Sequence, residues 1–178
     1  MNAIERLRAI AAHEWRPVTT AGLLGFCAIA GIVTWFSHTG ERWVPILDSA
    51  NLAFHEAGHP LFGIFSQRLT VYGGTLGQLA FPLAAAASFW LRREALSFAF
   101  SVAWLGQNFW NISRYMADAR ARMLPLVGSG EHDWTEIFLR WGVLQSDTTV
   151  AALTRGLGWG VLAGVWGWLA LRWLTERE

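Results

Sequence analysis

The sequence His55-Glu56-Ala57-Gly58-His59 lies inside an apolar segment, between Phe54 and Leu61, and it constrains the fold more than any other stretch. On a helix, residues four apart share a face. The two imidazoles can then take two corners of one metal site, with Glu56 beside the place of a bound water. Such a helix cannot be surrounded by lipid on all sides, because ionisable groups at membrane depth need a partner, water or a cation. It must turn this face toward a protein interior or a water-filled cavity.

The rest of the chain is apolar as well. Of its 178 residues, 53% are hydrophobic and 12 are Trp, more than an ordinary soluble domain carries. The expected class is an all-α integral membrane protein forming a single domain over residues 1–178, with about five membrane-embedded helices and one short amphipathic helix. The net charge of +1, without a dense basic run, gives no reason to expect nucleic acid as a partner. All fourteen basic residues are Arg, and Cys27 is the only cysteine. A disulfide within the chain and a thiolate cluster are both excluded, so a bound metal must use nitrogen and oxygen ligands.

The uncharged run 18–37 reads as an N-terminal membrane anchor, with Arg6, Arg8 and Arg16 ahead of it. By the positive-inside rule this places the N-terminus in the cytoplasm. The catalytic-looking core spans about 44–145. Within it, residues 43–66 form a helix interrupted by Asp48, Asn51, His55, Glu56 and His59, and the β-branched, glycine-ended stretch 69–74 predicts a short extended or hairpin element. Spans follow at 75–91 and 95–121, the latter with a polar stripe of Asn108, Asn111, Tyr115, Asp118 and Arg122. The proline and glycines of 123–133 predict a loop leading into an amphipathic helix over 134–144. A last span covers 150–174. Its Gly160 and Gly164 are spaced for close helix packing, either within the chain or between copies in a homo-oligomer.

A catalytic zinc site commonly has three protein ligands and one open position for water. Two histidines are not enough. The polar groups outside the motif helix are Asp118, Glu131, His132, Asp133 and Asp147, and the Glu131-His132-Asp133 cluster is the best source of the third ligand. Asp133 is favoured, with His132 as the alternative. Asp48, Asn108, Asn111 and Asp118 are expected behind the ligands, holding the imidazoles in the right tautomer. Glu56 is the expected general base.

Two other functions compete. Glu56-Ala57-Gly58-His59 is itself an E-x-x-H sequence of the kind used in two-metal oxidation centres, but no second one occurs. If His132 and Asp133 both reached the metal, the site would be closed, and the chain would be a metal-binding scaffold or metal-handling membrane protein.

These residues resemble the site-2-type intramembrane zinc metalloproteases and their small bacterial relatives. The resemblance rests on His55-Glu56-Ala57-Gly58-His59 in an apolar helix, Gly73-Gly74 and the glycine-containing apolar helix after it, and a downstream Asp at the head of a further helix. It implies one zinc ion held by His55, His59 and Asp133, with Glu56 as base, and hydrolysis of a peptide bond in a membrane-associated protein at the lipid bilayer.

Overall fold

The computed structural model describes Glu5, residues 13–127 and residues 131–176. Arg6 and Arg8, two of the three arginines ahead of the expected anchor, lie outside the described residues. Among those described, every regular element is helical: α1 (Thr20–His38), α2 (Leu47–Gly63), α3 (Gln67–Leu91), α4 (Ala95–Ala117), α5 (Asp133–Trp141), a short 3-10 turn (Leu144–Ser146) and α6 (Asp147–Thr175). The boundaries carry local causes. The Thr19 and Ser66 hydroxyls accept backbone N–H groups at the starts of α1 and α3, satisfying donors that a helix leaves unpaired. Gly142, at φ +68, ends α5 in the left-handed conformation that glycine adopts without steric cost.

Two expectations are corrected. Among the described residues, only α1 is long and apolar enough to cross a bilayer, and its most apolar stretch is only 6% buried. About five membrane-embedded helices are therefore not found. The physical reason lies in what the other long helices carry. α2 holds Asp48, Asn51, His55, Glu56 and His59, α3 holds Gln78 and three glycines at its centre, and α4 holds Gln107, Asn108 and Asn111. Several of these residues, Asp48, Asn51, Gln78, Gln107 and Asn111, join helix to helix, and each polar side chain lowers the apolar content of its own helix. The second correction concerns 69–74, which is no hairpin but the opening of α3.

Helix α2 packs along α3, α3 along α4, and α4 along α6, while α1 lies on α4 and α6. The α2–α3 contact is made by backbone. A methyl group on Gly58 would overlap the Gly73 carbonyl oxygen, one on Gly73 would lie 2.5 Å from that of Gly58, and one on Gly77 would lie 2.5 Å from that of Phe54. Only glycine permits this approach. By contrast, a methyl group on Gly160 or Gly164 would meet nothing within 4 Å. The glycines that pack α4 against α6 are Gly106 and Gly158, the latter under the Trp110 ring.

The apolar core has two centres. One gathers Val71, Ile112, Met116, Trp134, Ile137 and Phe138 and seats α5 against α3 and α4. The other gathers Val18, Phe26, Ala30, Ala99, Val165 and Leu169 where α1, α4 and α6 meet. The expected amphipathic helix over 134–144 is α5, and its buried Trp134, Ile137 and Phe138 are the face that fixes its position. Asp133, its first residue, is thereby placed rigidly.

Candidate metal centre

His55 and His59 project from one face of α2, one turn apart, and the N-terminus of α5 brings Asp133 to them. Asp133 Oδ2 lies 2.9 Å from His55 Nε2 and 3.4 Å from His59 Nε2. One ligand atom from each of the three lies within 4.8 Å of the others, so the group can hold a metal ion.

The donor set fits such an ion. His59 Nδ1–H donates to the Thr70 carbonyl at 2.8 Å; a carbonyl can only accept, so Nδ1 carries a proton and Nε2 is the nitrogen turned to the group, the one an ion would take in place of a proton. Two nitrogens and one carboxylate oxygen suit zinc and its neighbours, and no thiolate is needed. His55 is buried and packs against α3 at Gly74, where an added methyl group would lie 2.5 Å from Nε2. Burial alone would raise the Asp133 pKa, but hydrogen bonds to His55 and His59 more than offset it and hold the carboxyl below its ordinary range. Asp133 is therefore an anion poised as a ligand.

His132, the alternative third ligand, does something else. Its Nδ1 accepts the Thr135 N–H at 3.2 Å, which makes this imidazole the N-terminal cap of α5. The ring proton must then be on Nε2, which lies 3.5 Å from Asp118 Oδ2. Burial pushes this imidazole below its ordinary pKa, against the opposing pull of Asp118. With Nδ1 engaged and Nε2 turned to Asp118, His132 offers no lone pair to the metal group.

Among the described residues, none of the four expected behind the ligands hydrogen-bonds to His55 or His59. Asp118 accepts the backbone N–H groups of Met123 and Leu124, both at 3.0 Å, and so ties down the chain leaving α4. It acts on Asp133 only through His132. Asn108 donates to the Trp104 carbonyl within its own helix. Asp48 is 1% exposed and receives Val44 N–H at 2.6 Å, Gln107 Nε2 at 2.7 Å, Asn111 Nδ2 at 3.1 Å and Asn51 Nδ2 at 3.2 Å. Gln78 of α3 in turn donates to Asn111 Oδ1 at 2.8 Å. This buried amide–carboxylate network locks α2 to α3 and α4, and so positions the motif helix rather than its rings.

The group lies on the wall of a cavity of about 890 Å³, lined also by Glu56, Tyr115, Gln78 and Asn111 and by the apolar segment 124–127. That volume falls in the range of ligand sites. The sequence reading did not give three residues their roles at the site: Thr70, which acts through its carbonyl; Gly74, named only as part of a glycine pair, which makes room for His55; and Tyr115, named only in the polar stripe, whose hydroxyl accepts the Asp133 N–H at 3.1 Å. For Gly74 and its neighbours a signal existed, because Gly73-x-x-x-Gly77 has the spacing of a packed helix face. Comparison with protein-family models, with curated proteins and with solved structures finds no match.

Proposed function

We propose that this chain is a membrane-anchored zinc metallopeptidase that hydrolyses a peptide bond of a membrane-associated protein. One observation carries the reading: a three-donor group, His55, His59 and Asp133, on the wall of a cavity that Glu56 shares. Three ligands leave a position open, which is what separates a catalytic from a structural zinc site. His55, His59 and Asp133 would hold the ion, and a zinc ion bound there would supply a coordinated water of lowered pKa, about 7.

The chain's own residues do the rest. Glu56 takes a proton from the attacking water as its oxygen bonds to the carbonyl carbon, and it returns that proton to the leaving nitrogen as the C–N bond breaks. Thr70 and Gly74 keep the two imidazoles aimed. The segment 124–127 gives the cavity an apolar wall against which a hydrophobic peptide can lie. The resemblance to site-2-type proteases supports the same ligand set, residue by residue. In this reading α1 anchors the chain in a bacterial inner membrane with the N-terminus in the cytoplasm.

The competing reading, a closed site in a metal-binding scaffold, requires a fourth protein ligand. His132 is the nearest candidate in sequence, and its cap bond to Thr135, with Nε2 turned toward Asp118 at 3.5 Å, speaks against it. The test is hydrolysis of a pool of quenched fluorescent peptides by the detergent-purified, zinc-loaded full chain, beside Glu56→Gln. Cleavage by the wild type, lost in Glu56→Gln with metal content unchanged, supports the peptidase. Equal activity in both, or none in either, contradicts it.

A further inference from the structure

Tyr115 stands at the junction of the metal group and the cavity. It belongs to α4, and its ring packs against His132 (centroids 4.2 Å apart) and against His55 (5.8 Å). These contacts hold the phenol in one place. Its hydroxyl accepts the Asp133 N–H at 3.1 Å, and this is the only hydrogen bond it makes among the described residues. A phenol hydroxyl that is already accepting still carries one proton to donate. Asp133 cannot take that proton with the backbone nitrogen that donates to the same oxygen, and the side chain lines the cavity. The remaining donor direction is therefore available to whatever occupies the space beside Asp133.

We infer that Tyr115 is a catalytic residue, whose hydroxyl donates a hydrogen bond to the oxygen of the scissile carbonyl as negative charge develops there. This rests on the peptidase reading and deepens it. The attack that Glu56 promotes leaves the carbonyl oxygen anionic. A fixed donor next to the metal group stabilises that charge without reorganising when the reaction occurs. Several other polar residues of the cavity wall are already engaged, Arg114 and Arg140 with the Arg42 and Arg68 carbonyls among them. Gln78 and Asn111 are committed to the network around Asp48, and Thr70 is engaged through its carbonyl. Acceptance of the Asp133 N–H serves the same end, because it fixes the hydroxyl oxygen and orients its proton.

Tyr115→Phe is the discriminating variant, since it keeps the ring and its packing and removes one oxygen. The probes are an N-phosphoryl dipeptide, whose tetrahedral anionic phosphoryl group imitates the charged carbonyl, and a mercaptoacyl dipeptide, which ligates through sulfur and has no such oxygens. Both are titrated into the full chain loaded with Co(II), and binding is followed in the visible spectrum of the metal. Tyr115→Phe is expected to keep one metal per chain, to bind the mercaptoacyl dipeptide as the wild type does, and to bind the phosphoryl dipeptide about 10- to 100-fold more weakly. Equal affinity of both proteins for the phosphoryl dipeptide overturns the inference and leaves the peptidase reading intact. Parallel loss of both ligands or of the metal also overturns it, because Tyr115 would then only position Asp133. Failure of the wild type to bind either dipeptide removes the peptidase reading itself and the inference with it.

Discussion

Gly58, the fourth residue of the H-E-x-x-H sequence, meets Gly73 backbone to backbone, so closely that a methyl group on either would collide with the other's carbonyl. The residue just before the second histidine is thus chosen by the neighbouring helix. It lets α3 come near enough for the Thr70 carbonyl to reach His59.

Gly58→Ala should therefore destabilise the protein, by about 1–3 kcal/mol or more, because two helices must separate to admit one methyl group. Gly74→Ala should act on function first: the added methyl meets His55 Nε2, so metal affinity should fall further than stability. Gly160→Ala and Gly164→Ala, where nothing lies within 4 Å, should be neutral or stabilising by up to about 1 kcal/mol, the ordinary gain of alanine over glycine in a helix. Chemical denaturation and zinc titration of the four variants separate these outcomes.

The contrast explains what the sequence could and could not reveal. The two histidines of the candidate metal group, with Glu56 beside them, were legible because their spacing is a local property of one helix. So was α5, whose apolar face is periodic. The partners of the glycines were not: Gly73 and Gly77 have the same four-residue spacing as Gly160 and Gly164, yet only the first pair faces another backbone. Spacing states that a face is small and leaves open what lies across from it. The membrane count failed for a related reason. Asp48, Gln78, Gln107 and Asn111 satisfy one another across three helices, and a linear reading cannot see that the polar residues of separate helices share one network. His132 and Asp133 are neighbours in sequence, and a reading that favours Asp133 still has to keep His132 as the alternative ligand. Only the capping bond to Thr135 divides their roles.

That division is testable. His132→Ala should keep one metal per chain and lose about 1 kcal/mol of stability, the usual worth of a helix cap. Asp133→Ala should lose stoichiometric metal binding. Elemental analysis paired with thermal melts reads both, and the reverse pattern would assign the third ligand to His132.

Asp48→Ala should be among the most damaging substitutions away from the ligands. It leaves Val44 N–H and the amides of Asn51, Gln107 and Asn111 without their shared acceptor. Leaving buried donors unpaired costs about 1–3 kcal/mol each, so a loss of about 3 kcal/mol is a conservative expectation in denaturant unfolding. Asp48 also holds the turn before α2, where Ile46 adopts φ +69, a conformation β-branched residues rarely take. A melt of Asp48→Ala indistinguishable from wild type would show that the network does not secure the motif helix.

Acid should weaken the fold through Asp147. Its carboxylate is bonded to the Arg120 guanidinium at 2.7 Å and lies well inside the surface, and this bond holds its pKa below the ordinary value of 3.8. A carboxyl whose pKa is lowered on folding contributes stability that is fully present above the unfolded value and is lost as pH falls through the folded one. Melting temperature should therefore drop below about pH 4. Asp147→Asn should start lower and show a shallower decline over that interval, as followed by circular dichroism across a pH series.

The central claim is an open metal site made by His55, His59 and Asp133, and the coordination of zinc in the purified full chain tests it most directly. Elemental analysis with X-ray absorption should find about one zinc per chain, bound by two imidazoles and one carboxylate with a further position taken by water. A saturated shell of four protein ligands, or no stoichiometric metal at all, would contradict it.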